Sequence, residues 1–134
     1  MVSTAIHFNG NCDEAISFYK KVFGAEVKDI AYFKDAPANS GMEEGSLPDN
    51  FVMHSEVLVF GTVINMTDGG EKKPSGENFS FMIIKESDDE VSALYNKLLD
   101  GGNVIVPLEP SFWASSYVMI EDKFGVTWQI MTDK

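Results

Sequence analysis

The sequence predicts an α+β protein built from two βαβββ modules. Three observations predict it. Two amphipathic helical stretches each follow a short apolar segment and precede three more. The stretches repeat, with Glu14-Ala15-Ile16-Ser17-Phe18-Tyr19 matching Glu90-Val91-Ser92-Ala93-Leu94-Tyr95. A run rich in Gly, Pro and charge separates the halves. The expected division is a first module over 1–67, a linker over 68–78 and a second module over 79–134, in one compact unit. Each module has one helical stripe and one sheet face to bury. Two modules side by side make a larger curved mixed sheet with the helices outside, and its inside becomes a pocket.

The elements follow in order. Residues 3–9 read as a strand. Asn11 starts a helix and sits three residues before Glu14, a capping-box spacing. Ala15, Phe18, Tyr19 and Val22 form its apolar stripe, and Gly24 closes it. Residues 26–33 are a second strand, and 34–50 a long polar loop of the kind that is functional or mobile. Residues 51–59 and 62–67 are strands joined at Phe60-Gly61. After the linker, 79–85 form a strand. Ser87 and Glu90 repeat the capping box, Val91, Leu94, Tyr95, Leu98 and Leu99 the stripe, and Gly101-Gly102 the stop. Strands follow near 103–108, 116–121 and 126–131. The helix offset also pairs Thr4 with Ser80, Ile6 with Met82 and Phe8 with Ile84.

Composition narrows the function. The 134 residues hold 10 Lys+Arg against 21 Asp+Glu, a net charge of −11. Such a surface repels phosphate backbones and anionic lipid, so neither nucleic acid nor membrane is an expected partner. The single cysteine, Cys12, excludes an intrachain disulfide and a cysteine zinc site. No apolar run approaches the roughly 20 residues of a membrane span. The N-terminal residues lack a basic segment and a long apolar core, so a cytoplasmic location is expected.

Three stretches carry a family resemblance: Phe8 to Glu26, Met53-His54-Ser55-Glu56-Val57, and Asp122 to Ile130. With the βαβββ repeat, they resemble the vicinal oxygen chelate superfamily of glyoxalases, bleomycin-resistance proteins and ring-cleaving dioxygenases. Within it the chain looks most like the PhnB-like subgroup. The resemblance implies a glyoxalase-like fold, with Thr4, Ile6 and Phe8 turned toward the pocket. It also implies that Thr127, Gln129 and Met131 face the cavity while Val126, Trp128 and Ile130 pack under a helix. Metal-using members place four ligands, usually His and Glu, on pocket-facing strands. Carried over, those positions fall on Thr4, Asn65, Ser80 (Met82 if the alignment slips) and Gln129. All are neutral, and first-row cations want imidazole, thiolate or carboxylate. The expectation is therefore no metal and no cofactor. Similar sequences sometimes carry a methyltransferase label, for which no cofactor-binding Gly-rich turn is present here.

His54 and Glu56 are the candidate catalytic pair, because alternation places them on one strand face. A two-residue loop at Phe60-Gly61 pairs His54 with Thr67, Glu56 with Asn65 and Leu58 with Val63. That pair suits general acid/base work or a non-standard metal site, and it equally suits a hydrogen-bonded structural histidine beside a part-solvated carboxylate. A one-residue slip reverses the face. His7 alternates away from Thr4, Ile6 and Phe8, and a structural role is expected. Phe112 and Trp113 wall the pocket or cover a partner subunit. Tyr117 reaches the cavity mouth. Cys12 has no base or second thiol near it in sequence and reads as structural.

The expected activity is binding of a small apolar or aromatic molecule by a homodimer. Phe8, Phe112, Trp113 and Met131 supply contact, and Thr4, Asn65, Ser80, Tyr117 and Gln129 supply polar lining and orientation. The competing readings are a lyase or isomerase using His54 and Glu56, and an interaction protein with a vestigial cleft.

Overall fold

The computed structural model describes residues 1–37, 41, 43, 45–69 and 78–133. The chain divides into two compact units, Met1–Lys72 and Lys73–Lys134. The first holds β1 (Thr4–Phe8), α1 (Cys12–Phe23), β2 (Glu26–Tyr32), β3 (Val52–Val59) and β4 (Thr62–Asp68). The second holds β5 (Phe81–Lys85), α2 (Asp88–Leu98), β6 (Asn103–Glu109), β7 (Tyr117–Glu121) and β8 (Thr127–Thr132). Each is a βαβββ module with one four-stranded sheet, ordered β1-β4-β3-β2 and β5-β8-β7-β6. The first strand of each module runs parallel to the last, and the other pairs are antiparallel. This is the α+β architecture that the repeat predicts. Phe33, expected at the end of the second strand, joins Lys34 and Asp35 of the long polar loop in a short 3-10 turn, and 38–40, 42 and 44 lie outside the described residues. Of the linker, 70–77 lie outside them, and Asp68 belongs to β4.

Helix α1 forms where its stripe predicts, burying Cys12, Ala15, Ile16, Phe18, Tyr19, Val22 and Phe23. Gly24 ends it in the left-handed region at φ 66°. Its start is different from the expectation. Asn11 makes no side-chain cap. The carboxylate of Asp68 does the work from β4, accepting from the Cys12 N–H at 2.9 Å and the Val52 N–H at 3.0 Å. The second module solves the same problem twice over. Ser87 caps α2, accepting from the Glu90 N–H at 3.2 Å. Thr132, the counterpart of Asp68, accepts from the Ser116 N–H at 3.2 Å, and the hydroxyls of Ser115 and Ser116 donate to Asp88. Both bonds hold the Asp88 carboxyl below its usual range, Ser115 contributing most.

The Asp68 bond to α1 marks the helix-packed side of the first sheet. Ile64 and Met66 share that side, and register adds Thr4, Ile6 and Phe8 from β1 and Val57 from β3. Phe8 is 4% exposed. Thr4 and Phe8 therefore do not face an open surface, which corrects the orientation carried over for β1. The opposite, open face holds Ala5, His7, Asn65 and Thr67. The cause is a one-residue slip in the repeat. The helices match at an offset of 76, Cys12 with Asp88. The first strands match at 77, Ala5 with Met82, because Asn65 and Gln129 are their respective partners. Residue 6 thus corresponds to Ile83, not to Met82, and the slip inverts the face.

The β3–β4 hairpin is the expected tight one. Phe60 (φ 45°) and Gly61 (φ 87°) both take positive φ, the signature of a two-residue primed turn. The Phe60 ring meets Phe23 edge-on at 5.6 Å. In the second hairpin, the motif Asp122 to Trp128 is a structural knot. The Asp122 carboxylate accepts from the Phe124 and Val126 N–H groups and from Trp128 Nε1 at 2.9 Å.

Candidate functional site

The open face of the second sheet is built around Gln129. Alternation along β8 sends Trp128, Ile130 and Thr132 under α2 and leaves Thr127, Gln129 and Met131 on the other side. That matches the expected split. Register then adds Met82 beside Gln129, Ile84 beside Met131, Met119 across from Gln129 and Tyr117 across from Met131. The Tyr117 hydroxyl donates to Gln129 Oε1 at 2.6 Å, and Gln129 Nε2 donates to Ser80 Oγ at 2.8 Å. Ala114, Tyr117 and Met131 form a small core, with Val106 and Met119 packed against it. Burial pushes the Tyr117 hydroxyl above its ordinary pKa, so it stays protonated and able to donate.

Aromatic side chains extend this face outward. The Trp113 ring meets Tyr117 edge-on at 5.1 Å, and Phe112 meets Trp113 at 4.8 Å. Phe112 is 97% exposed, Trp113 48%, Ile84 57% and Met82 56%. So Ser80, Tyr117, Gln129 and Met131 come together, with Phe112 and Trp113 continuing the row. Ile84 and Met119 were missed in the sequence. Alternation on β5 and β7, read against Gln129, is the signal that finds them.

The first sheet's open face has other chemistry. Glu56 pairs with Asn65 and Leu58 with Val63, as the two-residue turn requires. The β3–β4 register ends at Glu56, and His54 registers instead on Ala31 of β2, with Asp29 beside Glu56. Thr67 registers on His7, and the two side chains meet, His7 Nδ1 to Thr67 Oγ1, at 2.8 Å. His7 therefore lies on the same face as Asn65 and Glu56, a correction that follows from the same β1 slip. His54 is exposed and Glu56 half-buried. Thr4 stands apart on the helix-packed side, its Oγ1 buried without a hydrogen-bond partner.

Cys12 is buried beneath the Asp68 cap. Burial, then the charges of Asp68 and Asp13, push its thiol far above the ordinary value, which keeps it an inert thiol. Among the described residues, no three His, Cys, Asp or Glu side chains gather in a metal-holding group. No helix among them is long and apolar enough to cross a membrane.

A family described as 3-demethylubiquinone-9 3-methyltransferase matches residues 1–131. The chain belongs to this family, the PhnB-like family. Protein YjdN of Escherichia coli (strain K12) is 29% identical over 139 residues, covering 96% of this chain and 92% of its own. The PhnB protein from Bacillus cereus superposes with a TM-score of 0.81 at 22% identity, over 98% of each chain. FosX, a fosfomycin resistance protein from Listeria monocytogenes, superposes at 0.71 with 13% identity, over 100% of this chain and 93% of its own. Another FosX structure from that organism is complexed with Mn(II) and 1S,2S-dihydroxypropylphosphonic acid. The likenesses to PhnB and FosX show the fold, which is that of the vicinal oxygen chelate superfamily.

Proposed function

We propose that this PhnB-like protein binds a small organic ligand against the open face of its second module, without the superfamily's usual metal centre. The observation that carries it is the Tyr117–Gln129–Ser80 chain of hydrogen bonds, set among Met82, Met119, Met131 and Trp113. Few oriented polar groups in an apolar, aromatic setting are what a small-molecule site needs. The positions carried over as metal ligands do not fit a cation. Gln129 and Ser80 are neutral and already bonded to each other, Asn65 is neutral, and Thr4 faces the helix side. The Mn(II) and phosphonate of FosX are therefore not carried over, nor is the methyl transfer in the family's description. In this reading the protein is a cytoplasmic homodimer. Phe112 and Trp113, left bare, lie over ligand or partner.

The test is a thermal-shift and calorimetric screen of metal-free protein against small aromatic compounds. Binding that survives chelator and weakens in Gln129→Leu is expected. A flat response across the screen, or turnover that depends on an added cation, overturns the reading.

One observation favours a second reading, a lyase or isomerase. His54, Glu56, Asn65 and His7 share the first module's open face. An imidazole and a carboxylate there suit proton transfer. His54→Ala then lowers the rate on a true substrate by roughly 10²-fold or more. An unchanged rate removes it.

A further inference from the structure

The chain contains no arginine, so all its cationic side chains are lysines. Arginine is the side chain that grips carboxylate or phosphonate with two parallel hydrogen bonds. The described lysines of the second module also lie away from its open face. Lys85 registers with Thr132 on the helix-packed side and sits 4.0 Å from Glu90 of α2. Lys97 is in the last turn of α2. The Lys123 side chain lies where a Cβ on Gly101, just past α2, would meet it.

The charges that do share the open face are acidic. Glu109 registers on Tyr117, and Glu121 registers on Thr127. The exposed Trp113 ring meets Tyr117, on which Glu109 registers, with Phe112 against Trp113, so the aromatic pair and the Glu109 carboxylate stand at one end of the face. Aromatic faces attract cations, and thioethers suit flat polarisable rings. The net charge of −11 adds a field that concentrates cations and repels anions. The Tyr117 hydroxyl is already donating to Gln129, so its oxygen has a lone pair to offer and no spare proton.

We propose that this open face takes a flat aromatic cation, its ring against Trp113 and Phe112 and its charge toward Glu109. The proposal deepens the ligand-binding reading above and rests on it. The same charges disfavour anionic aromatics and phosphonates as ligands.

Calorimetric titration of the full chain with three probes of similar ring size tests it: an aminoacridine, cationic at neutral pH; acridone, neutral; and a naphthalenesulfonate, anionic. The aminoacridine is expected to bind about tenfold tighter than acridone and to weaken as salt is added. The sulfonate is expected to give no saturable heat. In Glu109→Gln, checked for an unchanged urea midpoint, the aminoacridine falls to the acridone level while acridone is unaffected. Trp113→Leu weakens both. Equal affinity for the cation and acridone, or tightest binding of the sulfonate, overturns the cation class and leaves the ligand-binding reading standing. No saturable heat from any of the three overturns the cation class, and a flat response in the wider aromatic screen then removes the ligand-binding reading as well.

Discussion

Replacing Tyr117 by Phe removes one hydroxyl and nothing else. That hydroxyl donates to Gln129 Oε1 across 2.6 Å, while the ring packs with Ala114 and Met131. The ring stays in place, so only the polar contribution changes. A hydrogen bond of this kind is worth about 1 kcal/mol net, and the half-buried Gln129 carbonyl regains part of it from water. Tyr117→Phe should therefore cost about 1 kcal/mol. Gln129→Leu also loses the bond to Ser80 and orphans the Tyr117 hydroxyl, so it should cost about 2 kcal/mol. Because the Tyr117 hydroxyl and Gln129 share one bond, the double variant costs less than the two singles together by about 1 kcal/mol. Urea unfolding of the four proteins measures this, provided the slope m is unchanged across them. A coupling below about 0.3 kcal/mol is ordinary additivity for independent sites. That result refutes the oriented chain on which the proposed site is built.

Asp68→Ala should be more damaging, about 2–4 kcal/mol by urea unfolding, since it orphans the N–H groups of both Cys12 and Val52; a midpoint equal to wild type refutes the shared-cap account. Gly102→Ala should destabilise by about 1–3 kcal/mol, because its Cβ would stand 2.6 Å from the Leu98 carbonyl oxygen and 2.9 Å from that of Glu121; a neutral effect shows that the backbone yields. Tyr32 donates to Asp13 at 2.7 Å, and that bond, with burial next, pushes it up from 10.0 to about 12. A raised folded value means the contribution is whole below pH 10.0 and is lost as pH rises through about 12. The stability difference between wild type and Tyr32→Phe, below about 1 kcal/mol after solvent screening, should vanish across that window; a constant difference refutes the assignment.

The βαβββ repeat was legible because helix stripes and glycine stops are local signals. Val91, Leu94 and Leu98 are buried as the stripe requires. The cap of α1 was not legible, since its acceptor comes from Asp68, 56 residues away. The face of β1 was also misread. A five-residue strand with Ile6, His7 and Phe8 adjacent alternates too weakly to fix its own side, and only pairing with β4 decides it. By contrast the side of Thr127-Trp128-Gln129-Ile130-Met131 came from the family resemblance, and the burial of Trp128 and Ile130 under α2 agrees with it.

The two modules separate what the fold needs from what it does not. Matched positions that tie helix to sheet keep their task while changing side chain, as Asp68 and Thr132 both hold the start of the neighbouring strand. Matched positions on the open faces keep no common task. His7, His54, Glu56 and Thr67 stand in one module where Ile84, Tyr117, Met119 and Met131 stand in the other. Outside that set, Asn65 and Gln129 retain one chemistry, a neutral amide beside the first strand. If both faces were mere solvent-exposed sheet, there would be no reason for one to gather imidazoles while the other gathers methionines and aromatics. Exposed apolar side chains are costly unless something covers them, and the second face bares Met82, Ile84, Phe112 and Trp113 where the first bares Val63, so the second has the greater need of an occupant. That is the physical ground for placing the ligand on the second face and proton-transfer chemistry, if there is any, on the first.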